Sequence, residues 1–173
     1  MNDLRSANLN GKTVALRCDL NVPTDSLGNV TDDTRLLAAL PTLEYIAAAE
    51  AKVLLLAHFK RPKGSIDPTM SLQGLGPVIS AHLGRRVEFA TDCIGAPVVD
   101  ALSRIHVGEV VLAENVRFHP GEIENDPTFA QALAAPANVY VNDAFGAAHR
   151  SHASVAVSYT HLRAHETRHD IVC

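Results

Sequence analysis

The stretch KVLLLAHFKRPKG, residues 52–64, decides the fold. Its first half, 52–57, is a near-continuous apolar run, without the alternation of a strand wetted on one face. Such a run fits a strand buried on both faces, as in a parallel sheet. Its second half is basic and carries Pro62 and Gly64, which make it a loop at the strand's carboxyl end. Short apolar runs recur at 13–18, 86–90, 109–112 and 138–141. Alanine-rich, helix-like segments alternate with them. One starts near Asp32 and Asp33, whose carboxylates suit a helix N-terminus, and carries Leu36, Leu37, Leu40, Leu43 and Ile46 at helical spacing. Pro41 inside it predicts a kink or a break. Others span about 71–83, closed by Gly84; 96–105, with Gly95 and Pro97 at its start; and 126–134. The order is βαβαβαβαβ. Right-handed crossovers then force an α/β, Rossmann-like three-layer domain, with helices on both faces of a mostly parallel sheet.

Bulk properties narrow the function. A formal net charge of −4 gives nucleic-acid binding no electrostatic support, although local arginines can still hold a small anion. No run is long enough to span a bilayer, and residues 1–13 lack a signal-peptide core. Cys18, Cys93 and Cys173 form no CxxC pair and no ligand-like spacing, so they read as structural or terminal thiols with no metal. A monomer in a reducing cytoplasm is expected, with no nucleic-acid or membrane partner.

In sheets of this kind, ligands bind beyond the carboxyl ends of the strands. That rule selects Asp19 and Asn21 after the first strand, and His58, Lys60, Arg61 and Lys63 after the second. It selects Glu114, Asn115 and Arg117, with His119 close by, after the fourth, and Asn142, Asp143, His149, Arg150 and His152 after the fifth. Arg35 stands in the first turn of the first helix. Arginine binds phosphate or carboxylate through a planar, permanently charged fork, so several arginines at one edge suit a small, multiply charged anion. Singly, each residue also has a plainer reading. A loop arginine can be a solvated charge, Asp19 can merely close an Asx-turn, and Asn142-Asp143 can be a turn.

Three short motifs compete. Gly11-Lys12-Thr13 ends like a phosphate-binding loop, but Ser6 replaces the first glycine and the segment precedes a strand. Gly74-Leu75-Gly76 opens like a dinucleotide fingerprint, but Ile79 replaces the third glycine. His165-Glu166-Thr167-Arg168-His169 matches HExxH, which on a helix presents two zinc ligands and a general base. His161 or Cys173 could add a third ligand only by an unusual geometry. A tail-based zinc hydrolase is therefore the remote alternative.

The longer motifs resemble one family. The segment LRCDLNVP at 16–23, followed in step by Gly28, by 32–35 and by Pro41-Thr42, is similar to the opening signature of the phosphoglycerate kinases. HFKRPKG at 58–64 resembles their HLGRPKG, ENVRF at 114–118 their ENxRF, and YVNDAFGAAHRSHAS at 140–154 a family hallmark. The resemblance implies a 3-phosphoglycerate site made of Asp19, Asn21, Arg35, His58, Arg61, Arg117 and Arg150, with Arg35 also stabilising the phosphoryl group in transfer. It implies reversible phosphoryl transfer between 1,3-bisphosphoglycerate and ADP, giving 3-phosphoglycerate and ATP with Mg²⁺, and no covalent enzyme intermediate. It covers 1–157 as the family's N-terminal, 3-phosphoglycerate-binding domain. Residues 158–173 read as a non-family tail, from a frame change or an appended sequence. The nucleotide site belongs to a second domain not present in this chain. The chain alone is therefore expected to be inactive, and a stand-alone binding module for small phosphorylated acids is the nearer alternative. One departure stands inside a motif. Lys60 occupies the family's glycine position, where a backbone of positive φ would strain it or where it would add a cation.

Overall fold

The structure, a computed structural model, describes residues 2–144, 152–160 and 164–166. Five parallel strands carry the sheet: β2 (Thr13–Cys18), β3 (Lys52–Ala57), β4 (Val87–Ala90), β5 (Val110–Ala113) and β6 (Val139–Asp143). Two short strands, β1 (Asn2–Asp3) and β7 (Ala164–Glu166), extend it beyond β6, giving the order β1-β7-β6-β2-β3-β5-β4. The helices are α1 (Thr34–Ala48), α2 (Gly76–Leu83), α3 (Ala96–Arg104), α4 (Pro120–Ile123), α5 (Pro127–Ala134) and α6 (Ala153–Thr160).

Handedness explains the layers. From β2 through β3 to β4 the chain steps one way along the sheet, and α1 and α2 pack on one face. From β4 back through β5 to β6 it steps the other way, and α3 and α5 pack on the opposite face. Right-handed crossovers permit only this arrangement. The pleat sorts the side chains accordingly. Val14, Val53, Val110 and Val139 lie in register beneath α1 and α2, whereas Ala15, Leu54, Val111 and Tyr140 are buried on the other side. The apolar run at 52–57 is thus covered twice, as its composition predicts.

Several local expectations change. α1 runs unbroken through Pro41. The proline lies on the exposed side of the helix, and the Leu37 carbonyl it deprives of an amide partner belongs to a residue 45% exposed, where water can serve it. Asp33 occupies the cap position of α1 without a capping bond; Asp32 instead accepts from the Thr34 amide at 2.9 Å and from its hydroxyl at 2.5 Å. The helix expected from about 71 begins as a 3-10 turn, Gln73–Leu75, and becomes α2 only at Gly76. His165 and Glu166 lie in β7 and not on a helix, so a strand's alternation replaces the spacing that HExxH requires. His169 lies outside the described residues.

A buried polar network crosses the α3–α5 side of the sheet, and the sequence reading missed it. Arg17 of β2 has no exposed surface. Its Nε donates to Ser154 Oγ at 2.9 Å, its Nη1 to the Cys18 carbonyl, and its Nη2 to His58 Nδ1 at 3.0 Å. The Ser154 hydroxyl donates to Glu122 Oε1 at 2.6 Å and its amide to Oε2 at 2.8 Å, while Tyr140 donates to the Ser154 carbonyl. Burial raises the Tyr140 hydroxyl well above its ordinary pKa, so it stays a donor. One serine of α6 thereby joins a buried cation on the sheet to a buried carboxylate of α4.

At the sheet's edge, Glu88 accepts from Arg104 at 2.9 Å and from Arg86 at 2.8 Å. The Arg104 hydrogen bond is the main cause that holds its carboxyl below the usual range. A carboxyl with a depressed folded pKa contributes stability above its unfolded value of about 4.3, and that contribution is lost as pH falls through the folded value. Replacing Glu88 with Gln should therefore lower the melting temperature at neutral pH and have little effect at a pH below both values. For the network, Arg17→Met should cost about 1–3 kcal/mol, because the buried Ser154 Oγ, Cys18 carbonyl and His58 Nδ1 then lose their donor. Ser154→Ala should cost about 1–3 kcal/mol. Urea unfolding of each variant checks both figures.

Candidate functional site

The carboxyl ends of β2, β3 and β5 meet in a linked set of loops. Asp19 follows β2 and does two things. Its Oδ1 accepts from the Asn21 amide at 3.1 Å, closing an Asx-turn, and its Oδ2 accepts from Arg35 at 2.5 Å. The turn aims Asn21 at the next loop, where its Oδ1 accepts from the Lys60 amide at 2.8 Å. The Lys60 carbonyl in turn accepts from Arg117 Nη1 at 3.1 Å. Arg35, Asp19, Asn21, Lys60 and Arg117, from four segments, thus form one hydrogen-bonded chain.

The loop after β3 is shaped by the segment after β5. Asn115 is fully buried, and its side chain holds both the amide and the carbonyl of Phe59, the Met70 carbonyl and the Arg117 amide. Glu114 accepts from Ser71 Oγ at 2.6 Å and from the Leu72 amide at 2.9 Å. Both therefore organise the loops. Gly64, at φ +82°, lies against Pro120, which a Cβ would meet at 3.0 Å, and its amide donates to the Arg117 carbonyl. The result is a cavity of about 250 Å³ lined by Arg61, Lys63, Arg117, Ile123 and His152. Arg117 is 5% exposed and Arg61 is open to solvent, so one cation is fixed in the protein and the other can adapt. A larger cavity of about 470 Å³ beside Gly28, Gly74 and Val78 carries Asp32 and Asp33 and no cation. It does not suit an anion.

His58 is buried, and Arg17 fixes its proton. A guanidinium can only donate, so the Nδ1 facing it accepts, and the imidazole carries its proton on Nε2. Lys60 has φ +53°, so lysine occupies a left-handed position that favours glycine. Its ammonium turns to the Thr69 carbonyl at 3.2 Å and over the Phe59 ring at 4.9 Å.

The structure leaves some sequence candidates elsewhere. His119 pairs with Asp92 at 2.7 Å and stacks on Phe129. Asn142 accepts from the Ala144 amide, making a local turn. His149 and Arg150 lie outside the described residues. The residues missed are Arg17, Glu122, Ser154 and Tyr140. The available signal was a single arginine within the otherwise apolar run TVALRC.

Comparison with known proteins settles the relationship. A sequence model described as phosphoglycerate kinase matches residues 3–165. The chain belongs to the phosphoglycerate kinase family. It is 54% identical over 151 residues to the phosphoglycerate kinase of Caulobacter vibrioides, covering 87% of this chain and 38% of the relative. It is 49% identical over 160 residues to that of Acaryochloris marina, covering 92% and 40%. Among solved structures, phosphoglycerate kinase from Coxiella burnetii superposes with a TM-score of 0.84 at 33% identity, over 95% of this chain and 41% of that one. The enzyme from Pyrococcus horikoshii gives 0.86 at 31% identity, over 96% and 42%. The chain thus spans about two-fifths of the length of these phosphoglycerate kinases.

Lys60 is the residue at which HFKRPKG departs from the HLGRPKG it resembles, and it stands at a left-handed backbone position. A non-glycine residue at this φ costs about 1–2 kcal/mol, partly offset here by the Thr69 and Phe59 contacts and by glycine's larger unfolded-state entropy. Lys60→Gly should raise stability by at most about 1 kcal/mol on that balance. A clear loss of stability in thermal unfolding would mean that the ammonium contacts outweigh the backbone strain.

Proposed function

We propose that this chain supplies the 3-phosphoglycerate side of a phosphoglycerate kinase, the enzyme that moves a phosphoryl group reversibly between 1,3-bisphosphoglycerate and ADP. The observation that carries this reading is the convergence of Arg61, Lys63 and Arg117 on one cavity at the strand ends, in a chain of this family. Arg61 and Arg117 offer forks for the carboxylate and phosphate of the ligand. Asn21 and Asp19 orient its hydroxyl, and His58 donates through Nε2. Arg150 completes the set in this proposal.

Arg35 is the group proposed to act on the transferring phosphoryl. Its pair with Asp19 is solvent-facing, with the arginine side chain 52% exposed. Such pairs contribute only about 0–1 kcal/mol, so Arg35 can leave Asp19 for a developing negative charge at little cost. The chemistry asked of these residues is positioning and charge stabilisation, without a covalent intermediate.

Nucleotide and Mg²⁺ supply the phosphoryl donor and offset its charge when bound. Among the described residues none makes a glycine-rich phosphate loop between a strand and a helix. Gly11-Lys12 is a turn leading into β2, with the Gly11 amide on the Glu50 carbonyl and the Lys12 amide on the Leu9 carbonyl. Gly74 and Gly76 lie in the 3-10 turn and the first turn of α2. This reading therefore assigns ATP or ADP to the part of the relatives that the chain does not span. No helix among the described residues is long and apolar enough to cross a membrane. The proposal includes a monomer acting in the cytoplasm, with no nucleic-acid partner.

Calorimetric titration with 3-phosphoglycerate should give one-to-one binding that weakens at high salt. Arg61→Ala should weaken it by about 10- to 100-fold, the equivalent of one or two charge-assisted hydrogen bonds, with the fold intact because Arg61 is exposed. Kinase turnover by the purified chain should be absent. Salt-independent binding, or binding indifferent to Arg61, would overturn the assignment.

A further inference from the structure

Cysteine spacing offers no metal site along the chain, but the fold brings one cysteine to a histidine. Asp92 and Cys93 follow β4 and His119 lies beyond β5, at the carboxyl ends of two strands paired in parallel from Val87↔Val110 to Ala90↔Ala113. One ligand atom from each of Asp92, Cys93 and His119 lies within 4.8 Å of the other two. We propose that these three residues form a site for a divalent cation of the zinc class, distinct from the cationic cavity.

The donor set is the first argument. A thiolate, an imidazole and a carboxylate together suit a borderline-soft ion such as Zn²⁺ or Co²⁺ and match poorly with Mg²⁺ or Ca²⁺, which take oxygen ligands. Geometry is the second. Bonds of about 2.0–2.3 Å around a tetrahedral ion place its ligands roughly 3.3–3.7 Å apart. His119 Nε2 and Asp92 Oδ1 now stand 2.7 Å apart, sharing a proton. Replacing that proton by the ion requires them to separate by less than an ångström, while the thiol, no more than 4.8 Å from either, closes in by at most about 1.5 Å.

The surroundings hold these groups in place. His119 stacks on Phe129 with ring centroids 5.0 Å apart, which fixes the imidazole plane. The Cys93 amide donates to Asp92 Oδ1 at 2.6 Å, which fixes the carboxylate. Cys93 is buried, whereas Asp92 and His119 are part-exposed, so an ion can enter from solvent and keep a water as its fourth ligand. On binding, the Cys93 sulfur forms a bond to the ion and its proton passes to solvent, with no redox change.

The test is a Co²⁺ titration of the chelator-treated 173-residue chain under reducing conditions, followed by absorption. The expected result is one ion per chain, intense visible bands of tetrahedral Co²⁺, a thiolate-to-cobalt charge-transfer band, and displacement by Zn²⁺. Cys93→Ser should abolish the charge-transfer band. His119→Gln and Asp92→Asn should each weaken binding by about 10- to 100-fold or more, at least the loss expected for an outer-shell partner. Cys173→Ser, and a double His165→Ala/His169→Ala variant, should leave the signal unchanged. The proposal is overturned if no charge-transfer band appears. It is also overturned if the band survives Cys93→Ser or vanishes with Cys173→Ser, which would place the ion on the tail. Should Cys93→Ser lose its cooperative melt, the two part-exposed variants decide alone, and unchanged affinity in both sinks the site.

Discussion

A guanidinium without exposed surface lies on β2, and much of the molecule is arranged around it. Taking one such charge out of water costs several kcal/mol even after relaxation, so the native state has to answer it with hydrogen bonds and an opposite charge. Here Ser154, the Cys18 carbonyl and His58 take its donors, and Glu122 answers through the Ser154 hydroxyl. These groups come from β2, the loop after β3, α4 and α6. Apolar packing alone would allow α6 and α4 to slide over the sheet, whereas one serine bound on both sides admits a single position. The same contact reaches the site, because the donor facing His58 Nδ1 decides which ring nitrogen carries the proton.

The carboxyl edge of the sheet follows a different economy. Its loops are held by side chains of the family motifs that do not line the cavity. Glu114 and Asn115 bind the backbone at Phe59, Met70 and Leu72, and so set where Lys60, Arg61 and Arg117 can stand. Buried amides and carboxylates that satisfy backbone groups specify a loop more sharply than apolar contacts do, because each unsatisfied group carries its own penalty. The left-handed backbone at Lys60 is strain retained within that scaffold. Two anionic neighbourhoods are separate from the lining of the cationic cavity: Asp32 and Asp33 beside Gly74 and Val78, and Asp92 with Glu122 around Cys93. Charge is thus segregated by loop, which a net figure of −4 conceals.

The amino-acid pattern determined the layers. Near-continuous apolar runs at 13–18 and 52–57 require cover on both faces, and the alternation of runs and helical segments leaves right-handed crossovers as the way to provide it. It also determined which residues stand at the strand ends, since that depends only on where each run stops. Only the tertiary structure decided what those residues touch. Nothing local distinguishes Glu114 and Asn115, which serve backbone groups more than forty residues away, from Arg117, which lines the cavity. Nor does chain position show that His119 turns from Arg117 towards Asp92 and Cys93, or that Glu122, on a four-residue helix, meets Ser154 in the core. Pro41 is the converse case: its rule is local, but the helix face it occupies is set by packing, and on the solvent side the lost hydrogen bond does not break α1. Periodicity reports the burial of whole elements, whereas polar partners are chosen by distances that exist only after the sheet has closed.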